Sequence, residues 1–287
     1  MASHPFIDLH LHTAVSDGTD SPAELLCVVR DAGIEIFSVT DHDAIEGCEQ
    51  IGKLLRPGDP RFLFGTEFSC KDALGKYHIL GYGYDPASPA IRAVTEQGRA
   101  NRLQKLGIRL QLLEKDFKIT FPEEDVAALY ALSNPGKPHL ANLMVRYGYA
   151  DTISEAFSAV LNRLHAADLY VSPKQAIEGI LGAGGIPVLA HPCFGDGDQL
   201  ILGAELDERV RRLIGFGLKG LEGCYSGFTE PLRAQVLALA RQYGLYVTAG
   251  SDYHGGNKMI PIGDTGLDAE APFPDGLQRF LEDVHFA

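Results

Sequence analysis

Short apolar runs alternate with helix-patterned stretches at both ends of this chain, and the runs give way to histidine and carboxylate residues. Residues 6–10 end in His10, with His12 just beyond; residues 36–40 lead into Asp41 and His42; residues 62–68 contain Glu67. Residues 78–84 form a further run, opened by His78. Later, residues 186–190 stop at His191, residues 218–222 form another run, and residues 245–249 precede Asp252 and His254. Repeated strand–helix units build a parallel sheet or a (β/α) barrel. In a barrel, catalytic groups collect at the C-terminal ends of the strands, which is where these polar residues fall.

The helical stretches carry their own punctuation. Ser21-Pro-Ala-Glu24 reads as a capping box with proline at the first helical position, and Gly33 closes the helix it opens. Further helices are expected at 44–55, 173–183 and 231–243. Between about 86 and 170 strand alternation disappears, and 91–113, 123–132, 137–147 and 153–164 all read as helix. The expected organisation is therefore a barrel from 1–85 and 171–287, with 86–170 as a small helical insertion.

With 287 residues, 45% of them hydrophobic, the chain can bury a substantial core. No apolar run approaches the roughly 20 residues of a membrane span, and no basic segment followed by an apolar one marks a leader. The five cysteines are odd in number and lack CxxC spacing, so they read as reduced thiols, mostly buried, in a cytoplasmic protein. A formal net charge of -13 argues against binding long duplex nucleic acid. A small anionic substrate stays compatible with it, because bound cations invert the field of a carboxylate site.

His10-Leu-His12 places two imidazoles on one side of an extended chain, and Asp252-Tyr-His254 repeats that geometry with mixed ligands. Taken singly each signal is ordinary: His191-Pro192 is a turn, Asp41 a helix cap, Glu67 a satisfied carboxylate, His78 a core histidine. Their joint occurrence at strand ends indicates a metal cluster. Imidazole with carboxylate and no thiolate suits Zn²⁺, Mn²⁺ or Fe²⁺. Cys70 and Cys193 read as buried neighbours, and Asp41 either orients a ligand histidine or caps the next helix.

His10-Leu-His-Thr13, Thr40-Asp-His-Asp43, Ala190-His-Pro192 and Gly250-Ser-Asp-Tyr-His-Gly255 together resemble the four motifs of the polymerase and histidinol phosphatase (PHP) superfamily. The resemblance spans the chain and implies a distorted seven-stranded (β/α) barrel holding two or three divalent ions. It implies that His10, His12, Glu67 and Asp252 hold one ion and that Asp17, His42 and His254 hold a second. Glu67 would share a third with His78 and His191. The implied activity is hydrolysis of phosphate esters by metal-bound hydroxide, with Glu67, Asp17 and His191 central to catalysis.

The helical insertion resembles that of relatives acting on nucleotides, such as 3′,5′-bisphosphates, or on the 5′ end of short oligonucleotides. On that resemblance Arg102, Lys137 and His139 are candidate phosphate binders, with Tyr170 and Lys174 behind them. Ser226-Gly-Phe228 and Asn142 depart from residues common in relatives, which bears on the substrate rather than the reaction. Two other readings are a histidinol-phosphate-type phosphatase, which leaves the insertion unexplained, and a non-catalytic module that keeps metals for structure.

Overall fold

The apolar runs become one seven-stranded sheet in which chain order is also spatial order: β1 (Ile7–Leu11), β2 (Ile36–Val39), β3 (Arg61–Asp72), β4 (Gly75–Tyr82), β5 (Ile186–Leu189), β6 (Gly220–Tyr225) and β7 (Tyr246–Gly250). The computed structural model describes residues 5–287 except 165, 167, 196–198 and 269; the first four residues of the segment read above for a leader lie outside the described residues. The sheet curls until its edges meet. The Asp252 N–H donates to the His10 carbonyl and the His12 N–H to the Tyr253 carbonyl, each at 2.9 Å. The result is a distorted, nearly closed barrel.

The distortion is one reversed strand. β1, β2 and β3 run parallel, as do β5, β6 and β7, but β4 is antiparallel to both β3 and β5. No helix separates β3 from β4, and Gly75 turns the hairpin with φ +127°, a conformation that only glycine adopts without strain. The hairpin runs further than its apolar portions indicated, because its polar tip is paired by backbone and by Asp72, whose carboxylate accepts the Leu74 N–H at 2.8 Å. The reversal brings the start of β4, and with it His78, to the rim where the other strands end.

Helices α1 (Pro22–Asp31), α2 (Glu46–Leu54), α3 (Pro89–Leu112), α4 (Glu123–Ala131), α5 (Lys137–Arg146), α6 (Ile153–Glu155), α7 (Pro173–Gly182), α8 (Gly203–Phe216), α9 (Glu230–Tyr243) and α10 (Asp275–Asp283) complete the described structure. α1, α3 and α7 begin the same way: Ser21, Ser88 and Ser172 accept a backbone N–H with proline directly after them. Glu24 and Gln175 close full capping boxes. Two helices went unrecognised in the sequence. α8 buries Leu206, Val210 and Leu213 at helical spacing, a legible pattern that was passed over. α10 is equally patterned, with Leu277, Phe280, Leu281 and Val284 at helical spacing, and Phe280 packs edge-on against Tyr82 and Tyr246.

The core divides. Barrel strands and their flanking helices share two apolar clusters, whereas Leu106, Leu113, Leu129, Leu140, Met144 and Leu161 gather in a third, formed between β4 and α7 in sequence. α3 joins them: its 24 residues extend about 36 Å, with Ile91 and Val94 in the barrel cluster and Leu106 in the helical one. Gly98 makes that crossing possible, because a Cβ there would lie 2.8 Å from the Asp43 Cβ. No helix among the described residues is long and apolar enough to cross a membrane.

Leu140 is fully buried in the helical cluster. Leu140→Ala should lower the free energy of unfolding by about 2–5 kcal/mol in urea denaturation. A loss below about 1 kcal/mol would show that this cluster does not contribute to global stability.

Candidate metal centre

Barrel closure and strand reversal bring the polar strand ends to one point, and Glu67 stands at it. Its carboxylate is 1% exposed. Glu67 Oε2 lies 3.3 Å from His10 Nε2, 3.2 Å from His12 Nε2 and 3.1 Å from His42 Nδ1; Oε1 lies 2.8 Å from His78 Nδ1 and 3.3 Å from His191 Nε2. Three constraints bring these five histidines together. Pairing of β1 with the chain beyond β7 sets His10 and His12 beside Asp252 and His254. A parallel bridge from His42 to Glu67 extends the β2–β3 pairing, and the His78 carbonyl accepts from the Ala190 N–H next to His191.

The other two carboxylates flank this point. Asp252 Oδ1 lies 3.6 Å from His10 Nε2, 3.4 Å from His12 Nε2 and 3.4 Å from His254 Nδ1. Asp17 Oδ1 lies 3.3 Å from His254 Nε2, and Asp17 Oδ2 lies 3.9 Å from His42 Nε2. Three groupings of candidate ligand atoms result, each within 4.8 Å: His10, His12 and Glu67; His12, Asp17, His42 and His254; and His42, Glu67 and His78. They differ in detail from the sets implied by sequence resemblance: Asp252 is absent from the first grouping, His12 joins the second, and His42 stands in the third in place of His191.

Donor chemistry and burial both fit divalent cations. His10 Nε2, His12 Nε2, Asp17 Oδ1, His42 Nδ1, Glu67 Oε2 and His78 Nδ1 are buried, face this centre and have no hydrogen-bond partner of good geometry among the described residues. Orphaned buried polar atoms are costly, on the order of 1–3 kcal/mol each, and six around one point call for an ion. Burial opposes charge on Glu67, yet His42, His78 and His10 outweigh it and hold the carboxyl well below its usual range. Asp17 and Asp252 are likewise held low against burial, by His42 and His254 and by Lys258 and His10 respectively. Burial also opposes protonation of His12, but Asp252 and Glu67 lift it to about 9. The carboxylates therefore remain charged and require cationic partners.

A supporting layer orients these groups, and sequence reasoning missed most of it. Glu222, fully buried, accepts from His10 Nδ1 at 2.9 Å and from the His191 N–H at 2.7 Å, which directs His10 Nε2 inward. Its only sequence signal was an acid at the end of an apolar run. Lys258 and Tyr225 hold Asp252 Oδ2 at 2.6 and 3.0 Å, leaving Oδ1 to the centre. Asp41 does not cap α2, whose N-cap is Ile45. It accepts from the Thr13 N–H and hydroxyl and from the Ser16 hydroxyl, and Ser16 Oγ lies 3.4 Å from His12 Nδ1. Backbone strain concentrates here too, with Asp43, His191 and Asp252 all at positive φ. Cys70 and Cys193 are buried outside the three groupings, and all five thiols are free.

Above the centre opens a cavity of about 330 Å³, bordered by Asp17, His42, His78 and His191 below and by Arg102, Lys137 and Tyr170 on the wall. Arg102 donates from Nε to Asp43 at 2.5 Å and from Nη2 to Ser69 at 2.9 Å. His139 stands outside the lining. Its Nδ1 accepts the Gly136 N–H at 3.0 Å, which leaves Nε2 as the protonated nitrogen of the neutral ring. Lys174 pairs with Glu178 on the exposed face of α7, so the expectation that it contacts substrate is not supported.

A PHP domain profile matches residues 8–214. The chain is 30% identical to a 3′,5′-nucleoside bisphosphate phosphatase of Chromobacterium violaceum, over 86% of this chain and 87% of that one. It is 30% identical to the 5′-3′ exoribonuclease Rnm of Salmonella typhimurium, over 89% and 87%. A solved structure from Bifidobacterium adolescentis, put forward as a metal-dependent phosphoesterase, superimposes with a TM-score of 0.80 at 30% identity, over 97% of this chain and 96% of that one.

Removing the central carboxylate charge should disrupt several cation positions together. Glu67→Gln should lower bound divalent metal, measured by elemental analysis, more than any single histidine replacement. Glu222→Ala should retain the ligands but weaken metal affinity about 10–100-fold; unchanged affinity in a chelator competition would remove Glu222 from the site.

Proposed function

The chain belongs to the PHP domain family, and on that premise we propose that it hydrolyses phosphate esters of nucleotides, or of short oligonucleotides from the 5′ end, at the centre around Glu67. The observation that carries this reading is the convergence of unpartnered imidazole and carboxylate atoms on the floor of a cavity with a cationic wall. It is a metal-dependent phosphoesterase in the coarse sense that the family and the donor set share. The names of the Chromobacterium and Salmonella relatives support the nucleotide assignment.

His10, His12, Asp17, His42, Glu67, His78, His191, Asp252 and His254 would hold two or three divalent ions, with manganese, zinc or iron all suited to these donors. Such ions supply Lewis-acid charge to phosphoryl oxygens and acidify water. The chain's own residues do the rest. Glu67 and its flanking carboxylates fix the charge of the centre, and Asp17 and His191 border both centre and cavity, where an ionised carboxylate and an imidazole can orient water or substrate. Arg102, fixed by Asp43 and Ser69, has its Nη1 beside Gly136 and meets the phosphate as a pre-oriented guanidinium.

His139 is a neutral donor in this scheme. Burial, with Arg102 nearby, keeps its pKa below the ordinary histidine value although Asp17 pulls the other way. The helices between residues 86 and 170 supply Arg102, Lys137 and His139, so this segment acts as the substrate lobe over the barrel mouth. Four buried free thiols suit a reducing, cytoplasmic setting.

Assays on 3′,5′-bisphosphate nucleotides and 5′-phosphorylated oligomers, with added Mn²⁺ or Zn²⁺ and with chelator, test the reading. Activity should vanish with chelator and return with divalent metal. Arg102→Ala and His139→Ala should keep their metal but lose at least about tenfold in kcat/KM, the worth of one charge-assisted bond. Wild-type kcat/KM in both variants would place phosphate recognition elsewhere.

A further inference from the structure

The cationic wall extends beyond Arg102, away from the centre around Glu67. Arg102, Lys105 and Arg109 are spaced i, i+3 and i+7 on α3, so they share one face and span about 10 Å of it. All three line the cavity, together with Lys76 of β4. Asp43 compensates Arg102. Lys105 has no such partner: it is 6% exposed and makes no hydrogen bond or ion pair with any described residue. Its ammonium lies 4.0 Å from the centroid of the Tyr170 ring, which Lys76 also faces at 5.6 Å.

Arg109 Nε is buried without a partner on the same face. Burial pulls Lys105 down to about 7, and repulsion from Arg102, Arg109 and Lys76 adds to it against the attraction of Asp43. Burial likewise lowers Arg109. Asp168, the other carboxylate acting on Lys105, is exposed and paired with Lys71 at 2.6 Å. Like charges crowded on a buried helix face are unfavourable unless an anion offsets them.

We propose that Lys105 and Arg109, with the Tyr170 ring against the Lys105 ammonium, form a second anion subsite that holds a non-reacting phosphoryl group of the substrate. The reacting group lies at the centre around Glu67, so this inference rests on the phosphoesterase reading of that centre. The substrate class is then a nucleotide with two phosphoryl groups: either a bisphosphate, or an oligonucleotide whose first phosphodiester fills the subsite.

Calorimetric titration of the metal-stripped full chain reads the subsite without turnover. The probes are adenosine 3′,5′-bisphosphate, a 5′-phosphorylated dinucleotide and AMP. Wild-type protein should bind at least one of the first two about tenfold more tightly than AMP, and the tighter one identifies the source of the second group. Lys105→Met and Arg109→Met should each reduce that preference several-fold or more, and Arg109→Lys should keep most of it. The methionine variants retain the apolar stems and relieve repulsion, so they should fold at least as well as wild type. Equal affinity for all three probes, or an unchanged preference in both methionine variants, overturns the subsite. Preferential binding without hydrolysis by the metal-loaded protein leaves the subsite standing and overturns the phosphoesterase reading; hydrolysis without any preference does the reverse.

Discussion

A carboxylate buried in a barrel has to be answered by positive charge, and Glu67 is answered by five imidazoles that can take that role only in part. Neutral imidazoles present lone pairs as well as protons, and five protonated rings at van der Waals distance would repel one another. Divalent ions would resolve both problems, because a cation takes lone pairs from carboxylate oxygens and imidazole nitrogens alike. The surrounding hydrogen bonds follow from that need: Glu222 turns His10, Ser16 and Asp41 steady His12, and Lys258 with Tyr225 leave one oxygen of Asp252 directed inward.

Two features of the sheet make the convergence possible. Closure through the chain beyond β7 lays His10 and His12 alongside Asp252 and His254, although these motifs are separated by nearly the whole sequence. The reversal of β4 presents His78, in the first half of that strand, at a rim that otherwise collects C-terminal ends. Strained backbone at His191 and Asp252 is held by hydrogen bonds from their own amides, to Glu222 and to the His10 carbonyl.

α3 links this chemistry to the helical cluster. Close contact at Gly98 brings the helix onto the loop after β2, so Arg102, one turn later, reaches Asp43 and the cavity. Past that point the same face carries Lys105 and Arg109 away from the centre, giving the cavity a metal-binding floor and a cationic wall. An overall acidic chain thus presents a locally cationic surface to a small anion.

The strand–helix rhythm, the Ser-Pro helix starts and the ordered His and Asp motifs were all legible in the residues, because each depends on local spacing: period two in strands, capping geometry at helix ends, and imidazoles two residues apart. From them came the barrel, the helical stretch from 86 to 170 and the residues now found around Glu67. α10 was equally legible, since Leu277, Phe280, Leu281 and Val284 fall at helical spacing; only its partners, Tyr82 and Tyr246, come from the fold. Tyr225 and Lys258 carried no local mark of their role, Glu222 only its place at the end of an apolar run, and the direction of β4 depends on a polar hairpin outside the apolar pattern. Arg102 could be singled out as a cation but not as one already bound to Asp43, and Lys105 was indistinguishable from any surface lysine. Sequence by itself determined which chemistry the chain carries, since ligand types and spacing are written residue by residue. Tertiary structure decided which atoms face one another and which charges are left unanswered, because burial and partnership arise only when distant segments meet.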